Sequence, residues 1–126
     1  MGFFSSLLEN ASTVKPADLQ NDYGKLLAPN EAIEIGFKLV RDVFIFTNKR
    51  LILVDKQGIT GSKVEYLSVA YKSIARFSIE TAGHFDLDAE LKIWVSSELQ
   101  PSIVKKFTSA VNIYDVQRVL AQHVLG

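Results

Sequence analysis

Two runs in which every side chain is apolar, Val43 to Phe46 and Leu51 to Val54, flank the polar break Thr47-Asn48-Lys49-Arg50. Short β-rich runs bounded by turn residues predict a β-hairpin. Asp55-Lys56-Gln57-Gly58 then predicts a second turn, because Asp bonds the backbone ahead of it and Gly supplies a positive φ. Val43, Phe44, Ile45, Phe46, Leu51, Ile52, Leu53 and Val54 project from both faces of this hairpin, which an antiparallel sheet with one wet side does not tolerate. A cover is required on the outer face, either an N-terminal helix docked there or a second copy of the chain. These eight side chains are therefore candidates for helix docking or self-association.

The flanking pattern supplies the other elements. Phe3, Phe4, Leu7, Leu8 and Ala11 recur at helical spacing, but a helix this short is marginal in water and its apolar stripe must dock on protein or lie in a lipid interface. Pro16 suits a first helical turn, after which Leu19, Tyr23, Leu26 and Leu27 fall on one face until Ala28-Pro29-Asn30 stops the helix. From Ile33 the period becomes two: Ile33, Ile35, Phe37 and Leu39 alternate with polar residues and glycine, which predicts a half-buried strand. Further strands are predicted at Val64 to Tyr71, Ile74 to Thr81, Ala89 to Ser96 and Ile103 to Thr108. Helical spacing returns in Ile113, Val116, Val119, Leu120 and Val124, with Asn112 placed to cap that helix. The expected fold is mainly β, about seven antiparallel strands followed by one C-terminal helix, an element order that several small barrels share.

A chain of 126 residues fits one domain, with residues 1–30 as a helical extension and 31–126 as the core fold. It contains no cysteine, which excludes disulfides and thiolate metal sites and favours the cytoplasm. Fourteen basic residues balance fourteen acidic ones, and a nucleic-acid binder shows a basic excess instead. The apolar runs fall well short of the roughly 18 to 20 residues a membrane-spanning helix needs.

The segments FTNKRLILVDKQG, VAYKSIARFSIETAG and FDLDAELKIW, starting at Phe46, Val69 and Phe85, closely resemble the bacterial pleckstrin-homology-like domain family. The first of them is also similar to the strand-turn-strand of GRAM domains. The resemblance runs from about Glu31 to the C-terminus and covers the N-terminal helices loosely. It implies a pleckstrin-homology (PH) superfold, a bent antiparallel sheet or partial barrel plugged at one end by the C-terminal helix, and with it a non-catalytic domain without a cofactor, assembly as a cyclic homo-oligomer and a role in binding proteins.

Candidate chemistry is sparse. Domains of this superfold that bind phosphoinositides gather several cations around the first hairpin, whereas Lys38 and Val40-Arg41-Asp42 supply few, so inositol-lipid recognition is not expected. Asp86, Asp88 and Glu90 alternate and could share a sheet face, but calcium needs about six to eight oxygens and no Asp-rich loop surrounds them. His84 and His123 have no Cys partner, and no nucleophile motif marks a triad. Asn48-Lys49-Arg50 is accounted for as a polar turn. The polar strand face around Arg76, Ser78, Glu80, Glu90, Lys92 and Trp94 is the expected protein-interaction surface, because an outward Trp is enriched at interfaces; a ring lying beneath Arg or Lys accounts for it equally well. The leading expectation is a self-associating, protein-binding module. The alternative is a peripheral membrane adaptor that inserts Phe3, Phe4, Leu7 and Leu8 into the lipid interface.

Overall fold

The hairpin forms where the pattern puts it, in a computed structural model that describes residues 7, 13–39, 41–58, 62–81, 88–108 and 110–126. Among the described residues eight strands, β1 (Thr13–Val14), β2 (Ile33–Lys38), β3 (Val43–Thr47), β4 (Arg50–Gln57), β5 (Lys63–Ala70), β6 (Ile74–Thr81), β7 (Asp88–Val95) and β8 (Ile103–Thr108), accompany helices α1 (Pro16–Tyr23) and α2 (Ile113–Val124). The strands form two sheets, β1-β2-β3-β4-β5 and β6-β7-β8, rather than one closed barrel. The chain divides into two compact units, Met1–Val69 and Ala70–Gly126.

In the first unit, β3 and β4 pair antiparallel with Val43 opposite Val54 and Phe46 opposite Leu51. None of the eight hairpin side chains is more than 5% exposed within the single chain. A second copy is therefore not needed to keep them dry, which removes the reason the pattern offered for self-association through this hairpin. One face, Val43, Ile45, Ile52 and Val54, packs with Leu19 of α1 and with Ile33, while Val14, Tyr23, Leu26, Leu27 and Val64 close its margins. On the other face Phe46 meets the Phe37 ring edge-on, with centroids 6.0 Å apart.

Strict alternation along β2 does not hold. The register shifts between Ile33 and Ile35, so Ile33 lies opposite Thr47 and joins the α1 side, while Ile35 and Phe37 lie opposite Phe46 and Phe44 on the other face. A bulge reverses the side-chain phase without changing composition, so the period-two pattern could not reveal it. Gly36 makes room for α1: a Cβ there would overlap Leu19 Cδ1 and lie 3.3 Å from the Phe44 carbonyl oxygen. The helix expected to reach Leu27 ends at Tyr23 and continues as a 3-10 turn over Gly24–Leu26. Strand β1, too short to show a period, adds Val14 beside Gly36. Gly58 has the positive φ (82°) expected of it.

In the second unit, β6, β7 and β8 form an antiparallel meander; α2 packs against β6 and β7 and also touches the 3-10 turn Tyr71–Ser73. Ile113, Val116, Val119 and Leu120 are the buried stripe of α2, and the Asn112 side chain accepts a hydrogen bond from the Tyr114 N–H (3.0 Å), as a helix cap does. His123 stacks on Tyr71, with ring planes 3° from parallel and centroids 4.2 Å apart.

Candidate functional site

The six residues of the expected interaction surface come together because β6 and β7 are in the register that pairs them. Arg76 lies opposite Trp94, Ser78 opposite Lys92 and Glu80 opposite Glu90. Directly opposed residues of an antiparallel pair point to the same side, so all six share one face. The inner face carries Leu91, Ile93, Ile103 and Phe107, all buried, which leaves the first face to solvent. Strand β8 extends it: Val104 pairs with Lys92 and Lys106 with Glu90. Val104 (45% exposed), Lys106 and the loop residue Leu99 (87% exposed) belong to this surface, and sequence reasoning missed them. Continuing the alternation Val104, Lys106 outward from Ile103 and Phe107 would have found the first two; Leu99 sits in a loop with no period.

The surface has two ends. At one, Lys92 Nζ is shared between Glu80 Oε1 (3.8 Å) and Glu90 Oε1 (3.7 Å). At the other, the Arg76 guanidinium carbon sits 4.7 Å from the Trp94 ring centroid, the arrangement that accounts for Trp94 without a partner. Trp94 Nε1 donates to the Leu99 carbonyl (3.3 Å), which ties the indole to the loop between β7 and β8. That loop is held by Ser102 Oγ, which accepts from Val95 N (3.1 Å) and donates to Glu98.

The turn of the β3–β4 hairpin is occupied from within. Arg50 Nε and Nη2 bind the Glu31 carboxylate at 2.8 and 3.0 Å, Nη2 also donates to the Leu26 carbonyl (2.6 Å), and Nη1 donates to Ser68 Oγ (2.8 Å). The Thr47 hydroxyl donates to Glu31 Oε2 (2.6 Å) and accepts from Arg50 N (2.9 Å), while Ala28 N donates to Glu31 Oε1 (2.8 Å). Asn48 adds two bonds to the chain beside it, accepting from Ala32 N and donating to the Asn30 carbonyl. Burial alone would push the Glu31 carboxyl up, but the Arg50, Ala28 and Thr47 hydrogen bonds outweigh it and hold its pKa at about 2. Arg50 and Asn48 are thus structural, although Asn48, like Lys49, is exposed.

Other candidates separate. Arg41 donates to the Gly58 carbonyl and Asp42 Oδ1 accepts from Lys56 N (3.0 Å), so this turn's charges are tied to the backbone at the end of β4. Asp86, His84 and the Asp88 side chain lie outside the described residues, among which no group of three metal-ligating side chains occurs. Phe3, Phe4 and Leu8 also lie outside them. Leu7 is buried, and its carbonyl accepts a bond from Thr13 Oγ1 (3.1 Å), so this member of the proposed lipid anchor faces protein. No helix among the described residues is long and apolar enough to cross a membrane.

The profile of the bacterial PH domain matches residues 2–124. The chain belongs to the bacterial PH domain family. The match takes in the N-terminal segment that sequence reasoning set apart as an extension. The domain is 57% identical over 121 residues to the uncharacterized protein YjqA of Bacillus subtilis (strain 168), covering 96% of this chain and 97% of that one. The crystal structure of a pleckstrin homology domain from Shewanella amazonensis SB2B is similar to it with a TM-score of 0.84 at 46% identity, covering 99% of this chain and all of the other. A DUF1696 family protein with a pleckstrin-homology domain from Shewanella loihica PV-4 matches with a TM-score of 0.78 at 44% identity, covering 91% of this chain and 97% of that one.

Proposed function

We propose that this bacterial PH domain is a non-catalytic, cytoplasmic protein-binding module that presents the β6-β7-β8 face to its partner and self-associates elsewhere. The observation that carries the reading is the composition of that face: a Trp under an Arg, exposed Leu99 and Val104, and a ring of compensated charge. Aromatic and Arg anchors beside exposed apolar area, rimmed by polar groups, are what protein interfaces concentrate. Affinity capture from an extract of the source bacterium, with the wild-type domain and a Trp94→Ala, Val104→Glu variant compared, tests it. A partner held by the first and lost by the second is expected; capture unchanged by the variant would remove this face from the proposal.

Self-association draws its support from β5 rather than from the hairpin. This strand is the edge of its sheet and exposes Tyr66 (44%) and Leu67 (41%), and an edge bearing apolar side chains is a template for pairing with another chain. Pairing that runs in one direction from copy to copy gives a ring when the rotation between copies closes and a filament when it does not, and the ring is the cyclic assembly the family resemblance implies. Light scattering on the eluting protein should give a multiple of the chain mass, and Leu67→Glu should return it to one chain. A wild-type domain that elutes as a monomer at micromolar concentration would sink the assembly.

A further inference from the structure

Two arginines, Arg50 and Arg76, are treated in opposite ways. Every nitrogen of the Arg50 side chain has an acceptor: Nε and Nη2 on Glu31, Nη2 also on Leu26, and Nη1 on Ser68. Among the described residues the Arg76 guanidinium has no hydrogen bond and no ion pair, only the Trp94 ring beneath it. Stacking occupies one face of a guanidinium and leaves its N–H donors, which lie in the plane, aimed sideways. The indole beneath it is itself held in place, because its Nε1 is tied to the Leu99 carbonyl. We propose that Arg76 on Trp94 is the anchor of a docking site for an acidic peptide segment, whose carboxylate takes the guanidinium fork while a neighbouring apolar side chain lies against Leu99 and Val104. The proposal rests on the reading of the β6-β7-β8 face as a protein interface and names the chemistry of its partner.

Charge complementarity selects that occupant. Lys92 is already shared by Glu80 and Glu90, so the positive charge left unanswered on β6 and β7 is at the Trp94 end. One such cation at the Trp94 end, with Lys92 and Lys106 set beside Glu80 and Glu90 at the other, suits a singly charged carboxylate. A phosphate carrying close to two charges needs several converging cations where Arg76 supplies one. The exposed Leu99 and Val104 supply the apolar contact that a simple counter-ion would not use.

Trp94 is the only tryptophan in the chain, so it reports on the site directly. The probe is a capped nonapeptide alternating glutamate and leucine, titrated into the full chain while Trp94 fluorescence and the indole N–H resonance are followed. A saturable shift is expected, weakened by at least about tenfold in Arg76→Gln and by as much when the peptide carries glutamine for glutamate, as loss of a charge-assisted bidentate contact requires. Arg76 is exposed, and an unchanged thermal midpoint shows that the variant remains folded. Equal binding by Arg76→Gln, no saturable shift up to millimolar peptide, or tighter binding of a phosphoserine peptide than of the glutamate peptide would each overturn the carboxylate site. Those outcomes leave the interface itself standing if capture from extract still depends on Trp94 and Val104, whereas loss of that dependence would overturn the interface as well.

Discussion

Replacing Arg50 with alanine is expected to destabilise the domain by about 3–5 kcal/mol, read from the midpoint of denaturant unfolding. The magnitude follows from what is left behind. The Glu31 side chain is 1% exposed and gives both carboxylate oxygens to Arg50, so removing the guanidinium strands a buried charge and frees the Leu26 carbonyl and Ser68 hydroxyl as well. Loss of a surface pair would cost at most about 1 kcal/mol, so a change of that size would show that the cluster is solvated and the interpretation wrong. The same carboxylate makes stability depend on acid. Its pKa is about 2 in the folded chain, against about 4.3 when unfolded. A lowered folded value gives stabilisation that is complete above the unfolded pKa and lost as pH falls through the folded one. Between about pH 5 and pH 2 the domain should lose about 2 kcal/mol from this group, a figure reduced for solvent screening because Arg50 is a quarter exposed. Glu31→Gln should flatten that part of the pH profile, and an unchanged slope would assign the acid sensitivity to other groups.

Leu19→Ala should cost about 2–5 kcal/mol, since it deletes the buried side chain with which α1 covers Val43, Ile45, Ile52 and Val54. Gly36→Ala should cost about 1–3 kcal/mol for the opposite reason, because its methyl group would occupy the space of Leu19 Cδ1. The two losses share one volume. A double variant should therefore be more stable than the sum of the single losses predicts, the alanine methyl at position 36 filling part of the hole left by Leu19. Strict additivity in this cycle would mean that Gly36 is required for some reason other than the approach of α1.

How much of this was legible beforehand differs by element. The strands β3, β4, β6, β7 and β8 and the helix α2 follow from apolar period and turn residues, and Asn112 and Gly58 do what their chemistry suggests. The proposed interaction face was named on alternation and on an outward Trp, and the pairing of Arg76 with Trp94 was one of two readings of that Trp. What alternation could not carry was register: the opposition of residues 76 and 94, and the row that brings in Val104 and Lys106, depend on which residues of two strands meet. The turn Thr47 to Arg50 was legible as a turn but not as the far end of an ion pair. Glu31 lies 19 positions away from Arg50, and nothing in either segment marks the other.

The sequence by itself determined the types of the longer elements, because period and turn chemistry are local properties of the chain and survive without knowledge of what packs where; β1 and the 3-10 turn Gly24–Leu26 are too short to show a period. Only the tertiary structure decided the fate of the doubly apolar hairpin. A run of apolar residues states that water must be excluded and is silent on what excludes it. Leu19 passing over Gly36, and the bulge that turns Ile33 toward α1, put that cover within the chain itself, for one face at least. The same holds for the two arginines: identical in composition, one is consumed by a buried carboxylate and the other left on an indole, because each charge is settled by neighbours that the fold, and not the chain order, brings near.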